Sequence, residues 1–237
     1  LYDPQHPYTE KLLASIPDLQ GRKDITGHGR PAPFGGDSEE PASLLAVRDV
    51  EMAYGDNKVL HGINLTLEEG ESILLLGESG SGKTTLARSV AGLIPDYTGE
   101  VALRGEVLEH SSRKRTVGQR QDIQYIFQSP FSSLNPRRTI GESLSVPLQM
   151  SGELSRSEQR RAVEDVLEAV QLDRSFFDRR PGDLSGGERQ RAAIGRALVN
   201  APSVLVCDEI TSALDVSVQA SILRLLAELR QERGLSM

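Results

Sequence analysis

A chain of 237 residues, 38% hydrophobic and 26% charged, has room for one full α/β domain plus an extra segment, and it buries most of its apolar surface without covalent staples. A net charge of −7 argues against a nucleic-acid binder, which carries a basic face. The single cysteine, Cys207, excludes an internal disulfide and a cysteine-ligated cluster, and it fits a reducing compartment.

In chain order, Leu1–Lys23 is a short piece in which Tyr8–Ile16 can form about two helical turns between prolines. Asp24–Ser43 is rich in Gly, Pro and small polar residues with almost nothing to bury, and reads as a linker. From Leu44 the pattern becomes dense. Leu44–Met52 and Gly62–Leu67 alternate apolar with polar residues, as half-buried antiparallel strands do. Ser72–Leu76 is a continuous apolar run that predicts a buried strand, followed by a helix from Lys83 to Ala91. Val101–Leu103 and Glu106–Leu108 flank Arg104-Gly105 as a hairpin, and Ile123–Phe127 is a further short strand. Over residues 156–171, Val163, Val166, Leu167 and Val170 recur on one helical face. Glu188–Val199 predicts another helix, preceded by two glycines. Val204–Cys207 predicts a buried strand, and Val216–Arg230 a helix with Ile222, Leu225, Leu226 and Leu229 on one stripe. No apolar run approaches the ~20 residues of a membrane helix, so membrane association is expected only through a partner.

Three segments carry chemistry. Gly77-Glu78-Ser79-Gly80-Ser81-Gly82-Lys83-Thr84 satisfies G-x-x-x-x-G-K-[ST] between an apolar run and a helix. Its glycines let backbone N–H groups turn inward around phosphate oxygens, and the helix N-terminus adds a positive dipole end. Lys83 is placed to reach the β- and γ-phosphates, and the Thr84 hydroxyl to coordinate Mg²⁺.

Val204–Cys207 ends in Asp208 and Glu209. An acidic residue at the C-terminal edge of a strand beside a phosphate loop holds Mg²⁺ through water, a role for Asp208, and Glu209 is placed to polarise an attacking water as general base. The alternative is an acidic pair facing solvent. Leu184-Ser185-Gly186-Gly187-Glu188-Arg189-Gln190 opens a helix, either as a second anion site or as a helix capped by Ser185. Since one nucleotide rarely needs two phosphate sites, the anion reading assigns this one to a nucleotide held by another copy.

Together LSGGERQ, GESGSGKTT and CDEITSALD closely resemble ABC-type ATPases, over essentially all of Leu44–Met237. The resemblance implies an α/β fold, a P-loop NTPase of ABC type. Such a fold has a parallel-sheet core, an antiparallel β subdomain and a helical subdomain that carries the signature motif. It also implies a head-to-tail dimer with two ATPs at its interface. Gly77, Ser79, Gly80, Ser81, Gly82, Lys83, Thr84 and Thr85 of one subunit would face Ser185, Gly186 and Gly187 of the other. On the family pattern Tyr54 matches the aromatic that stacks on adenine, and Gln128 matches the glutamine that senses Mg²⁺ and the attacking water. Ser212-Ala213-Leu214-Asp215 matches the loop that crosses the dimer. The catalytic set is thus Glu209, Lys83 and Gln128, and the Mg²⁺ set Thr84, Gln128 and Asp208. Tyr54 as a loop aromatic and Gln128 as a polar strand-end cap are the plainer alternatives. Ile210 departs from the proline usual after the glutamate. The four histidines, His6, His28, His61 and His110, all precede the signature helix, so none matches the family's switch histidine, and a C-terminally incomplete domain is expected.

Phe127-Gln128-Ser129-Pro130-Phe131-Ser132-Ser133-Leu134-Asn135-Pro136-Arg137 resembles the peptide/nickel importer branch, at the place where those ATPases grip the membrane subunit. The stretch around His6-Pro7-Tyr8-Thr9 resembles a segment that this branch carries after its ATPase domain. Leu1–Lys23 is therefore expected to be the tail of a preceding ATPase domain, 24–43 a linker and 44–237 the ABC ATPase domain of a fused tandem. The implied function is ATP-driven import of peptides or a related small solute, nickel and glutathione included. ATP and Mg²⁺ are the implied cofactors. Permease subunits, a second ATPase domain and, indirectly, an extracytoplasmic solute-binding protein are the implied partners, with no nucleic acid. The implied location is peripheral, on the cytoplasmic face of the inner membrane. A non-transport ABC ATPase and a catalytically impaired ABC domain are the alternatives.

Overall fold

The computed structural model describes residues 43–129, 133–210 and 214–237. The expected tail 1–23 and all but the last residue of the linker 24–43 lie outside the described residues. So do 130–132 of the permease-gripping segment and Ser212 and Ala213 of the interface loop.

Strand β1 (Leu45–Tyr54) sits between β2 (Asn57–Leu67) and β3 (Thr98–Leu103), antiparallel to both, and β3 pairs in turn with β4 (Glu106–Val107). The alternation expected for Leu44–Met52 holds only in its second part: Leu44–Val47 are buried at every position, and a register shift at Asp49, with φ 47°, precedes Val50 and Met52, which are inside. The Arg104-Gly105 turn between β3 and β4 has φ of 49° and 81° at its two central residues. Positive φ at both is what a tight hairpin needs to match strand twist.

A second, parallel pair lies behind this sheet. Strand β5 (Ile123–Ile126) runs beside β6 (Val204–Cys207), in register from Ile123↔Val204 to Ile126↔Cys207. The pair separates two apolar cores. Ile123 and Val204 face the core of the antiparallel sheet, with Leu86 and Val90 of helix α1 (Lys83–Val90). Ile126 and Leu205 face a helical core. That core is built from α3 (Ile140–Ser151), α4 (Arg156–Ala169), α5 (Gly186–Leu198) and α6 (Val216–Arg233). The stripes expected on α4 and α6 are the ones buried there: Val163, Val166, Leu167 and Val170, and Ile222, Leu225, Leu226 and Leu229. Arg104 ties the two sheets at one end, ion-paired to Asp122 at 3.2 Å and donating to Ser203 Oγ at 2.6 Å.

The structure departs from the sequence reading in four further places. Helix α2 (Val117–Asp122) and α3 were not anticipated, although each opens with a reciprocal capping box, Thr116 with Gln119 and Thr139 with Glu142. Pro147 inside α3 obscured the latter, because proline cannot donate to the helix ladder. Helix α5 starts at Gly186 rather than Glu188, so both glycines lie within its first turn.

The fourth departure concerns Ser72–Leu76, which is not paired as a strand. The chain end lies alongside its start: the Ile73 amide donates to the Met237 carbonyl and the Met237 amide to the Glu71 carbonyl. Ser236 in turn bridges to Val204 in parallel. Beyond that contact Leu74 and Leu76 are each 78% exposed. An apolar run buries only where a neighbouring element covers it. No described helix is long and apolar enough to cross a membrane.

Candidate functional site

The loop 77–82 connects Ser72–Leu76 to α1 by way of left-handed glycines, Gly80 at φ 85° and Gly82 at φ 91°. A Cβ on Gly82 would lie 3.0 Å from both the Val59 carbonyl and Leu60 Cδ2, so the loop is seated directly on β2. Lys83 closes it from within. Its ammonium donates to the carbonyls of Gly77 at 2.8 Å and Glu78 at 2.6 Å, and to Ser81 Oγ at 3.2 Å. Ser79 and Gly80 are exposed along the rim, and Thr85 is half-buried in the first turn of α1.

At the floor, the Thr84 hydroxyl donates to Asp208 Oδ1 at 2.8 Å. Asp208 is only 7% exposed, and its other oxygen accepts from the Tyr125 hydroxyl at 2.6 Å. The Asp208 amide donates to the Ile126 carbonyl, which continues the β5–β6 ladder one step past the strand. Next to it, Glu209 takes a φ of 47°. A left-handed non-glycine residue costs about 1–3 kcal/mol and persists where the surroundings over-determine it. Here Gln128 does part of that, its side-chain amide donating to Glu209 Oε2 at 2.8 Å.

Tyr125 and Arg88 were not singled out from the sequence. Arg88 Nε donates to the Tyr125 oxygen at 3.4 Å, and that bond is the main cause holding the guanidinium above its ordinary pKa. Burial first, and the contact with Asp208 second, push the Tyr125 phenol well above its ordinary range, so it stays protonated and donates. Their signal is a register: Tyr125 stands opposite Val206, two residues before Asp208 on the same face.

Of the remaining expected residues, Tyr54 lies within electrostatic reach of Arg88, and the others stand at the starts of α5 and α6. Tyr54 ends β1 with 54% of its surface exposed. Ser185 caps α5 in a reciprocal box: its Oγ accepts from the Glu188 amide and its own amide donates to Glu188 Oε2 at 2.7 Å. Those bonds, the backbone one first, hold the Glu188 carboxyl below its ordinary pKa. The capping reading of Ser185 is therefore realised. A Cβ on Gly187 would lie 2.9 Å from Val218 Cγ1, so the first turn of α5 packs on the start of α6. Asp215 stands at the N-cap of α6 without a side-chain cap bond. Among the described residues no hydrogen bond links Ser185, Gly186, Gly187 or Asp215 to the loop 77–84.

Among the described residues no three His, Cys, Asp or Glu side chains gather as a metal cage. A hydroxyl on a buried carboxylate beside an anion loop is instead a hard-oxygen donor set. It fits Mg²⁺, which takes few protein ligands and shares the rest with phosphates and water.

The ABC transporter family pattern matches residues 60–212. A peptide import ATP-binding protein of Brucella abortus (strain 2308) is 41% identical over 197 residues, 80% of this chain and 59% of the relative. The chain thus spans about three fifths of that relative's length. The nickel import ATP-binding protein NikE of Shigella dysenteriae (strain Sd197) is 44% identical over 201 residues, 81% of this chain and 75% of the relative. Among solved structures, the ATP-binding cassette MJ0796, a dimer in a post-hydrolysis state with ADP and Pi, superposes with a TM-score of 0.69. It is 31% identical and covers 81% of this chain and 85% of that one.

Proposed function

The chain belongs to the ABC transporter family, and from that premise we propose that it binds and hydrolyses ATP for an importer of peptides or a related small solute such as nickel. It works through permease subunits at the cytoplasmic face of the membrane. The observation that carries this reading is the 2.8 Å bond from Thr84 to the buried Asp208, which joins an anion loop to a carboxylate at a strand end.

The chemistry follows from the residues. Backbone amides of 77–82 surround the phosphates, and Lys83 exchanges its loop carbonyls for the β- and γ-oxygens. Thr84, Asp208 and Gln128 would hold Mg²⁺, and the ion would supply charge neutralisation on the phosphates when bound. Glu209, with Gln128 on its carboxylate, takes the proton of the attacking water. Tyr54 stacks on the base. Ser185, Gly186, Gly187 and Asp215 serve a nucleotide on a second ATPase domain, which accounts for their separation from the loop. The names of the two curated relatives support import, one of peptide and one of nickel.

Two measurements test the proposal. Calorimetric titration of the purified protein with MgATP is expected to show one site, and absence of binding removes the nucleotide reading. Disruption of the gene, with uptake of labelled dipeptide and of labelled nickel followed in parallel, is expected to abolish one of them. Both uptakes unchanged removes the importer reading.

A further inference from the structure

Asp208 has two carboxylate oxygens, and in this protein each is held by a different hydroxyl. Oδ1 accepts from Thr84 at 2.8 Å and Oδ2 from Tyr125 at 2.6 Å. A hydroxyl has one proton, so each donation fixes where its lone pairs point. The Thr84 oxygen, having given its proton to Asp208, keeps its lone pairs for a cation. The Tyr125 oxygen accepts from Arg88 Nε at 3.4 Å, which directs its one proton to Asp208 rather than elsewhere. The phenol is fixed from behind as well, since its ring meets Phe127 edge-on with centroids 4.8 Å apart.

We infer that Tyr125 is a positioning residue for the metal half of the site, holding Asp208 so that Thr84 presents lone pairs to Mg²⁺. The inference rests on the nucleotide reading above. With the phenol in place, the carboxylate cannot rotate about its last bond without breaking a charge-assisted hydrogen bond in a site only 7% exposed. Without the phenol, Oδ2 is left buried and unpaired. The carboxylate then keeps only the Thr84 hydroxyl of the two and can turn about its last bond, so the lone-pair direction of Thr84 is no longer set. Partners of this kind, one step outside a metal's own ligands, change metal affinity by about 10- to 100-fold. Nucleotide binding without metal depends on the loop amides and Lys83, which Tyr125 does not touch.

The test is Tyr125→Phe, with ADP titrated calorimetrically in EDTA and then over a Mg²⁺ series, and Mn²⁺ affinity for the ADP complex read by electron paramagnetic resonance. Metal-free ADP affinity is expected to stay within about twofold, while the Mg²⁺ needed for half-maximal tightening and the Mn²⁺ dissociation constant rise about tenfold. If Tyr125→Phe does not accumulate folded, Arg88→Gln at its exposed position takes its place, with an expected rise of about two- to threefold, the scale of a weaker hydrogen bond. A metal requirement equal to wild type in the folded variant overturns the inference. Failure of the wild-type protein to bind ADP under either condition is the distinguishable result that overturns the nucleotide reading instead.

Discussion

Gln128 donates its side-chain amide to Glu209 across 2.8 Å, joining the end of β5 to the end of β6. The bond holds Glu209 Oε2 in place, and the general-base role proposed for Glu209 calls for a carboxylate fixed in this way. It also means that the two residues are a unit, and that substituting either is felt by both.

Glu209→Gln is expected to keep MgATP binding and slow hydrolysis by ~10²-fold or more, the scale of a lost general base. The amide carbonyl still accepts from Gln128, so the local geometry survives while the basicity is gone. Steady-state phosphate release in the intact transporter measures it. A variant that turns over at the wild-type rate removes Glu209 from the mechanism.

Lys83→Ala is expected to weaken MgATP binding by ~10²-fold, because it deletes the charge-assisted donor aimed at the phosphates. The same ammonium holds the Gly77 and Glu78 carbonyls, so the variant loop is also expected to exchange its amide hydrogens faster. Calorimetry and hydrogen exchange read the two effects separately. Unchanged affinity places the nucleotide elsewhere.

Gly82→Ala and Gly80→Ala form a matched pair. Both positions have left-handed φ, 91° and 85°, which costs an alanine about 1–3 kcal/mol. Only at Gly82 does the added Cβ also meet a backbone carbonyl, that of Val59 at 3.0 Å; at Gly80 nothing lies within 4 Å. Thermal unfolding is expected to show a larger fall in melting temperature for Gly82→Ala. Equal falls would mean that the loop is not seated on β2.

Cys207 ends β6 beside the site, and burial pushes its thiol up to about 12. Since the thiolate is the nucleophile, alkylation of the native protein at pH 8 is expected to be at least ~10²-fold slower than in urea. Equal rates would mean that the surroundings of this half-buried thiol do not keep it protonated.

The sequence by itself determined the parts whose information is local. The glycine-rich loop 77–82 was legible because its glycines, and the lysine and threonine that follow, stand at fixed offsets along one stretch of backbone. The stripes of α4 and α6 were legible because a 3.6-residue period is written in consecutive residues. The acidic pair Asp208–Glu209 was legible from the strand that precedes it.

Tertiary structure decided the rest. That Tyr125 reaches Asp208, and Gln128 reaches Glu209, depends on the parallel register that sets Ile123 against Val204, more than 70 residues away in sequence. A shift of one residue would turn Tyr125 to the opposite face, and nothing within either short strand specifies its neighbour. The apolar run Ser72–Leu76 shows the same limit from the other side. Its composition is that of a buried strand, yet Leu74 and Leu76 are exposed, because hydrophobicity states what a segment would bury and only packing supplies the surface that buries it.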